Sequence, residues 1–150
     1  MATTDEILAE ARKRALARGL AYAGALLPSE AAQLLQEHPD AVLVDVRSRA
    51  EWDFVGRVPG AIEIEWKSYP GMQPNPRFLD ELSSQVPKEA ITMFLCRSGG
   101  RSHDTAMVAA RAGYNAAYNV LEGFEGDRDA EGHRNTTSGW RAADLPWFQS

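Results

Sequence analysis

The stretch Leu95-Cys96-Arg97-Ser98-Gly99-Gly100-Arg101-Ser102-His103 decides the fold, and it contains the only cysteine in the sequence. An apolar run over residues 90–95 precedes the cysteine, and small apolar residues at helical spacing follow at 106–110. This order predicts a buried strand, a short loop and a helix, with Cys96 as the first residue of the loop. The thiol is therefore expected above the amino end of a helix, where backbone N–H groups point into one concavity.

The composition of this loop favours a reactive thiol. Its two glycines permit the positive φ angles that a tight cradle needs, and its two arginines add positive charge that stabilises a thiolate. The alternative is a structural cysteine that ends a strand, because a lone free cysteine is usually buried. We interpret Cys96 as a nucleophile over an anion-binding cradle. The residues expected to bind the substrate are Arg97, Ser98, Gly99, Gly100, Arg101 and Ser102.

Length and composition indicate one soluble globular domain, since the 150 residues are 44% hydrophobic and 25% charged. The net charge of -5 and the lack of a basic block argue against nucleic acid as a partner. One cysteine excludes an intrachain disulfide, and three scattered histidines give no metal-ligand spacing, so we expect no metal. No apolar run is long enough for a membrane span. A free reactive thiol suits a reducing compartment, and we expect a cytoplasmic protein.

Two further segments are expected near the thiol. The apolar run over residues 41–46 predicts a strand of a parallel sheet that is covered on both faces. Asp45 and Arg47 end this strand, and we interpret them as a structural ion pair that fixes a loop near the site. Trp66 and Tyr69 lie in an irregular segment rich in proline and glycine. They are candidates for the wall of the thiol pocket, and ordinary loop packing is the alternative.

Both ends of the chain carry extensions. Residues 1–26 are predicted to form an N-terminal helical extension, with a helix over 4–18 that packs on the domain or on the second subunit of a homodimer. Residues 126–150 form a polar, glycine-rich tail that ends in three aromatic residues. Such side chains are expected to pack against the domain rather than remain in water. The three aromatic residues are Trp140, Trp147 and Phe148.

The chain resembles the rhodanese family of sulfurtransferases over about residues 27–125, the expected core. The Cys96 loop is similar to the family's active-site loop, and other family motifs follow in order. Arg57 replaces a usual histidine, and Phe124 stands where a second glycine is common. The matching segments are 27–32, 44–47 with 51–52, 56–61, 113–114 and 121–123.

This resemblance implies an α/β fold with three layers: a central, mostly parallel five-stranded sheet with helices on both faces. It also implies thiosulfate sulfurtransferase activity, in which the Cys96 thiolate takes a sulfur atom from a small anionic donor. The resulting persulfide passes the sulfur to a thiol or cyanide acceptor. No cofactor is expected. Arg97 and Arg101 would hold the anionic donor.

Three alternatives remain on the same fold: a cysteine-based phosphatase, an arsenate reductase, and a non-catalytic sulfur-carrier or regulatory module. Cysteine phosphatases use a loop one residue longer than the four residues between Cys96 and Arg101. Phosphatases of the rhodanese fold also tend to carry a histidine where this chain has Leu95. A regulatory module often lacks the cysteine, and Cys96 is present. Sulfur transfer is therefore favoured.

Overall fold

The computed structural model describes residues 2–150. Five strands form one sheet in the order β1-β7-β6-β2-β3, and every neighbouring pair is parallel. A separate antiparallel hairpin consists of β4 and β5. The strands are β1 (Gly24–Leu26), β2 (Ala41–Asp45), β3 (Ile62–Glu63), β4 (Lys67–Ser68), β5 (Gln73–Pro74), β6 (Ile91–Leu95) and β7 (Ala117–Val120). The helices are α1 (Thr4–Ala17), α2 (Pro28–Glu37), α3 (Arg49–Phe54), α4 (Phe78–Gln85) and α5 (Gly100–Arg111).

Helices cover both faces of the sheet because the side chains of its strands alternate between two buried clusters. In β6, Met93 and Leu95 belong to the cluster that α1, α2 and the tail cover. Phe94 and the following Cys96 belong to the opposite cluster, beneath α4 and α5. The three-layer α/β fold with a parallel five-stranded sheet is thus confirmed. Among residues 2–150, none of the helices combines the length and apolarity needed to cross a bilayer.

The N-terminal segment is more than a helical extension. Residues 24–26 form β1, which pairs with β7 as an edge strand of the main sheet. The assignment of all of 1–26 to an extension was therefore wrong. Helix α1 packs directly on this strand, because a Cβ at Gly24 would lie 2.8 Å from the carbonyl carbon of Ala11. An ion pair of 2.7 Å between Arg14 and Glu30 links α1 to α2.

The tail returns to the domain through two of its three aromatic residues. Trp140 is 1% exposed and lies in the same cluster as α1 and α2. Trp147 packs edge-on against Phe124, with ring centroids 6.3 Å apart. Phe148 differs from the prediction, since its side chain is 46% exposed. Its backbone forms an isolated antiparallel bridge with Arg57, which attaches the chain end without burying the ring.

Candidate active site

The thiol lies where strand β6 gives way to helix α5. Cys96 is 1% exposed, and the backbone N–H of Gly99 donates a hydrogen bond to its Sγ at 3.1 Å. Gly99 caps the helix with a φ of 109°, a left-handed conformation that glycine adopts without steric cost. Gly100 is already helical. The expectation that it also provides a positive φ was wrong.

A chain of polar side chains connects the thiol to the last strand. Ser102 Oγ lies 3.3 Å from Cys96 Sγ, and it donates to Asn119 Oδ1 at 2.6 Å. Asn119 is buried in β7, and its Nδ2 donates to the carbonyl of Gly99 at 3.3 Å. Asn119 was not among the site residues predicted from the sequence. An amide within an otherwise apolar strand was the available signal, since buried polar groups need partners.

A second unanticipated pair flanks this network. The Tyr22 hydroxyl lies 2.8 Å from Nδ1 of His103, the residue that follows Ser102 in α5. Burial raises the pKa of Tyr22, and a hydrogen bond with Asn119 opposes part of that rise. Tyr22 and Asn119 therefore belong to one polar cluster beneath the loop. This cluster connects the segment before β1 to the amino end of α5.

Arg101 is engaged by a carboxylate partner that the sequence did not predict. Its guanidinium forms two hydrogen bonds with the carboxylate of Glu51, at 2.7 and 2.9 Å. Burial of Glu51 favours its neutral form, but Arg101 and the hydrogen bonds from Ser48 outweigh this and lower its pKa. Burial likewise opposes the charge of Arg101, and Glu51 more than offsets it, so the pKa of Arg101 is raised. Arg101 is therefore one half of an ion pair that joins the first turn of α5 to the first turn of α3.

Arg97 has the opposite environment, because its side chain is exposed. Its backbone carbonyl accepts hydrogen bonds from the N–H groups of Glu125 and Gly126 at 3.0 and 3.2 Å. The N–H of Phe124 donates to the carbonyl of Cys96 at 2.8 Å. The chain after β7 is thereby fixed to the start of the Cys96 loop (residues 96–99), the candidate catalytic loop, with the Arg97 side chain left exposed.

Asp45 and Arg47 form a fully buried ion pair with a shortest distance of 2.7 Å. Arg47 also donates to the carbonyl of Gly56 at 2.7 Å, and its guanidinium carbon lies 4.2 Å from the ring centre of Phe124. These contacts hold the loop between β2 and α3, and Glu51 in the first turn of α3 reaches Arg101. The pair therefore acts on the site through the position of α3.

Trp66 and Tyr69 occupy different environments. Trp66 packs edge-on against Phe78, with centroids 5.2 Å apart, and lies against the cluster that includes Cys96. Tyr69 is 53% exposed in the turn of the β4–β5 hairpin, close enough to Arg101 to contribute to the rise in its pKa. The structure thus brings Trp66 to the apolar side of the site and leaves Tyr69 at its surface.

Comparison with known proteins agrees with this geometry. A family model described as Rhodanese-like domain matches residues 27–130. The chain belongs to the rhodanese-like domain family. This rhodanese is similar to Rv0390 from M. tuberculosis, a crystal structure with 47% sequence identity and a TM-score of 0.79. That match covers 86% of this chain and 99% of the other.

Two curated relatives of this rhodanese extend the comparison. It is 32% identical over 101 residues to the thiosulfate sulfurtransferase GlpE of Glaesserella parasuis. That match covers 67% of this chain and 82% of the relative. It is 37% identical over 121 residues to the uncharacterized protein RC0915 of Rickettsia conorii. That match covers 79% of this chain and 92% of the relative. The predicted family resemblance is confirmed, and sulfurtransferases are among the relatives.

Proposed function

We propose that this rhodanese is a sulfurtransferase that carries sulfane sulfur as a persulfide on Cys96. The contact between the Gly99 N–H and Cys96 Sγ, at 3.1 Å and at the amino end of α5, is the observation that carries the proposal. A hydrogen-bond donor at a helix N-terminus favours an anionic sulfur. It favours a persulfide anion for the same reason.

The reaction has two balanced steps. The Cys96 thiolate attacks the outer sulfur of thiosulfate, a new S–S bond forms, and the bond to the sulfonate sulfur breaks to release sulfite with the electron pair. An acceptor thiolate or cyanide then attacks the outer sulfur of the persulfide. The Cys96 thiolate leaves, which regenerates the enzyme by ping-pong covalent catalysis. Neither step needs an external oxidant or reductant.

The positive charge for the anionic donor is assigned to Arg97, because its guanidinium is exposed beside the loop. Arg101 is assigned a positioning role, since its bidentate pair with Glu51 fixes the first turn of α5. A bidentate guanidinium–carboxylate pair restricts geometry more strongly than a point charge does. The loop is thereby held rigid around the sulfur.

Intact-protein mass spectrometry tests the proposal. Thiosulfate should give a species heavier by one sulfur atom, cyanide should remove that atom, and Cys96→Ser should abolish the change. Ser102→Ala should retain it, because the serine is not the nucleophile. If thiosulfate leaves the mass unchanged while an aryl phosphate is hydrolysed at Cys96, the phosphatase alternative replaces this function. A cytoplasmic location and a homodimer stay predictions, which cell fractionation and sedimentation would test.

A further inference from the structure

A polar cavity of about 500 Å³ adjoins the catalytic loop at Ser98. Its other wall is residues 127–134, which we name the tail loop. This loop lies in the C-terminal part of the chain, beyond the core expected from the sequence. The lining residues are Ser98, Asp127, Arg128, Asp129, Ala130, Gly132 and Arg134.

The tail loop is organised by its own contacts around Asp129. One carboxylate oxygen of Asp129 accepts the N–H groups of Glu131 and His133, both at 2.9 Å, and the other accepts the Thr136 hydroxyl at 2.8 Å. These hydrogen bonds lower the pKa of Asp129, chiefly through the backbone of His133. The conformation of the cavity wall is therefore set before any ligand arrives, which reduces the ordering cost of binding.

The tail loop is also fixed relative to the reacting sulfur. The backbone N–H groups of Glu125 and Gly126 both donate to the carbonyl of Arg97, next to Cys96. Arg134 Nη1 donates to the carbonyl of Gly126 at 2.6 Å, which places its guanidinium at the junction of tail and catalytic loop. A ligand held by the tail loop is thus held at a defined position beside the catalytic loop.

The charges of the cavity are mixed. Arg128 and Arg134 supply two guanidinium groups, and Asp127 supplies an exposed carboxylate. Asp129 is already engaged in hydrogen bonds within its loop. Guanidinium groups bind carboxylates in a bidentate manner. A ligand with carboxylate groups and one ammonium group matches this set.

The size of the cavity points to the acceptor rather than the donor. Ligand sites of about 300–1,000 Å³ hold organic molecules of moderate size. Thiosulfate and cyanide are much smaller and would fill only a small part of this volume. A short peptide-like thiol can place its charged groups on the tail loop and its sulfur at Ser98, two residues from Cys96.

We propose that this cavity is the binding site for the sulfur acceptor, a small zwitterionic thiol with carboxylate and ammonium groups. The proposal rests on the sulfurtransferase function proposed above. The acceptor thiolate attacks the outer sulfur of the Cys96 persulfide, one S–S bond forms and one breaks. The products are the acceptor persulfide and the Cys96 thiolate. Arg128 and Arg134 are assigned as specificity residues that bind the acceptor carboxylates.

Acceptor kinetics test this assignment, with glutathione, 2-mercaptoethanol and cyanide as acceptors and thiosulfate as donor. Arg128→Ala should lower the ratio of kcat/KM for glutathione to kcat/KM for cyanide about tenfold, because a charge-assisted hydrogen bond is lost. The same ratio for 2-mercaptoethanol should not change. Comparing each variant with wild type cancels the intrinsic reactivities of the two thiols. Arg12→Ala, at an exposed arginine of α1, is the matched control and should leave both ratios unchanged.

A binding measurement separates this inference from the function itself. S-methylglutathione, which cannot accept sulfur, should bind to Cys96→Ser protein and bind about tenfold more weakly when Arg128→Ala is added. Arg134→Ala should also weaken the binding of S-methylglutathione. The melting temperature of this variant reports whether loss of the hydrogen bond to the Gly126 carbonyl loosens the tail loop. Failure of thiosulfate to load Cys96 overturns the function and with it the acceptor role. The site alone is overturned if thiosulfate loads Cys96 normally but Arg128→Ala changes neither the kcat/KM ratio for glutathione nor the binding of S-methylglutathione.

Discussion

Ser102 Oγ donates its proton to Asn119 Oδ1 at 2.6 Å, so its lone pairs face Cys96 Sγ at 3.3 Å. The amide orientation fixes this direction, because Asn119 Nδ2 donates to the Gly99 carbonyl and the oxygen must then face Ser102. Ser102 is therefore arranged to accept a hydrogen bond from a thiol. The Gly99 N–H, in contrast, is arranged to donate one to a thiolate.

The first prediction concerns the two opposed hydrogen bonds at Cys96 Sγ, one accepted by Ser102 and one donated by Gly99. Ser102→Ala should increase the rate of iodoacetamide alkylation of Cys96 at neutral pH about three- to tenfold, because one hydrogen bond to the protonated thiol is lost. Thr92→Val is the matched control. It removes a buried hydroxyl of β6 that donates to the Ala90 carbonyl, near the end of the strand far from Cys96. A slower alkylation of Ser102→Ala than of the control would mean that Ser102 donates to the sulfur.

The second prediction concerns the Glu51–Arg101 pair. Glu51→Gln should lower the free energy of unfolding at neutral pH by about 2–4 kcal/mol, because it leaves a mostly buried guanidinium without its counter-charge. The pKa of Glu51 is lowered in the folded state. Its contribution is therefore fully present above the ordinary Glu range and is lost as pH falls through the lowered folded value. Denaturant unfolding at neutral pH and at about pH 3 measures the difference, which should shrink in acid.

Glu10→Gln provides the control for that measurement, since Glu10 lies on the exposed face of α1. A surface substitution of this kind usually changes stability by less than about 0.5 kcal/mol at any pH. An equal effect of the two substitutions, or a Glu51→Gln effect that grows in acid, would contradict the ion-pair argument.

The sequence predicted the parts of the site that depend on local order. The apolar run before Cys96 and the glycines after it were enough for the strand, the loop and the helix start, because backbone preferences act over a few residues. The engagement of Arg101 by Glu51 joins positions far apart in the chain, and no local preference encodes it. Asn119 stood out locally as an amide in an apolar strand, but its partners Ser102 and Gly99 lie 17 and 20 residues away in the chain. Residues 24–26 are too short and too small to stand out as a strand, and only their pairing with β7 defines them.

The third prediction concerns Gly123, in the short segment between β7 and the tail. A Cβ at this position would lie 2.5 Å from the carbonyl carbon and oxygen of Arg97, and φ is +67°. Gly123→Ala should therefore displace the catalytic loop and lower both stability and the rate of persulfide formation. Gly60→Ala is the control, since φ is +78° and nothing lies within 4 Å of the added carbon. The control should lose only about 1 kcal/mol of unfolding free energy, which is the cost of a left-handed backbone at a residue that carries a Cβ. Equal losses in the two variants would show that the contact with Arg97 is unimportant.

The fourth prediction separates two aromatic residues of the tail that the sequence treated alike. Trp140 is buried in the cluster beneath α1 and α2, and its Nε1 donates to the Pro146 carbonyl at 2.8 Å. Trp140→Ala should cost about 3–5 kcal/mol of unfolding free energy, because it removes a large buried side chain and leaves a cavity. Phe148→Ala should cost less than about 1 kcal/mol, because its ring is 46% exposed and the backbone bridge to Arg57 is retained. Denaturant unfolding of both variants measures the two costs. A loss at Phe148 as large as that at Trp140 would mean that the tail is held by its end, and a small loss at both would contradict its packing on the core.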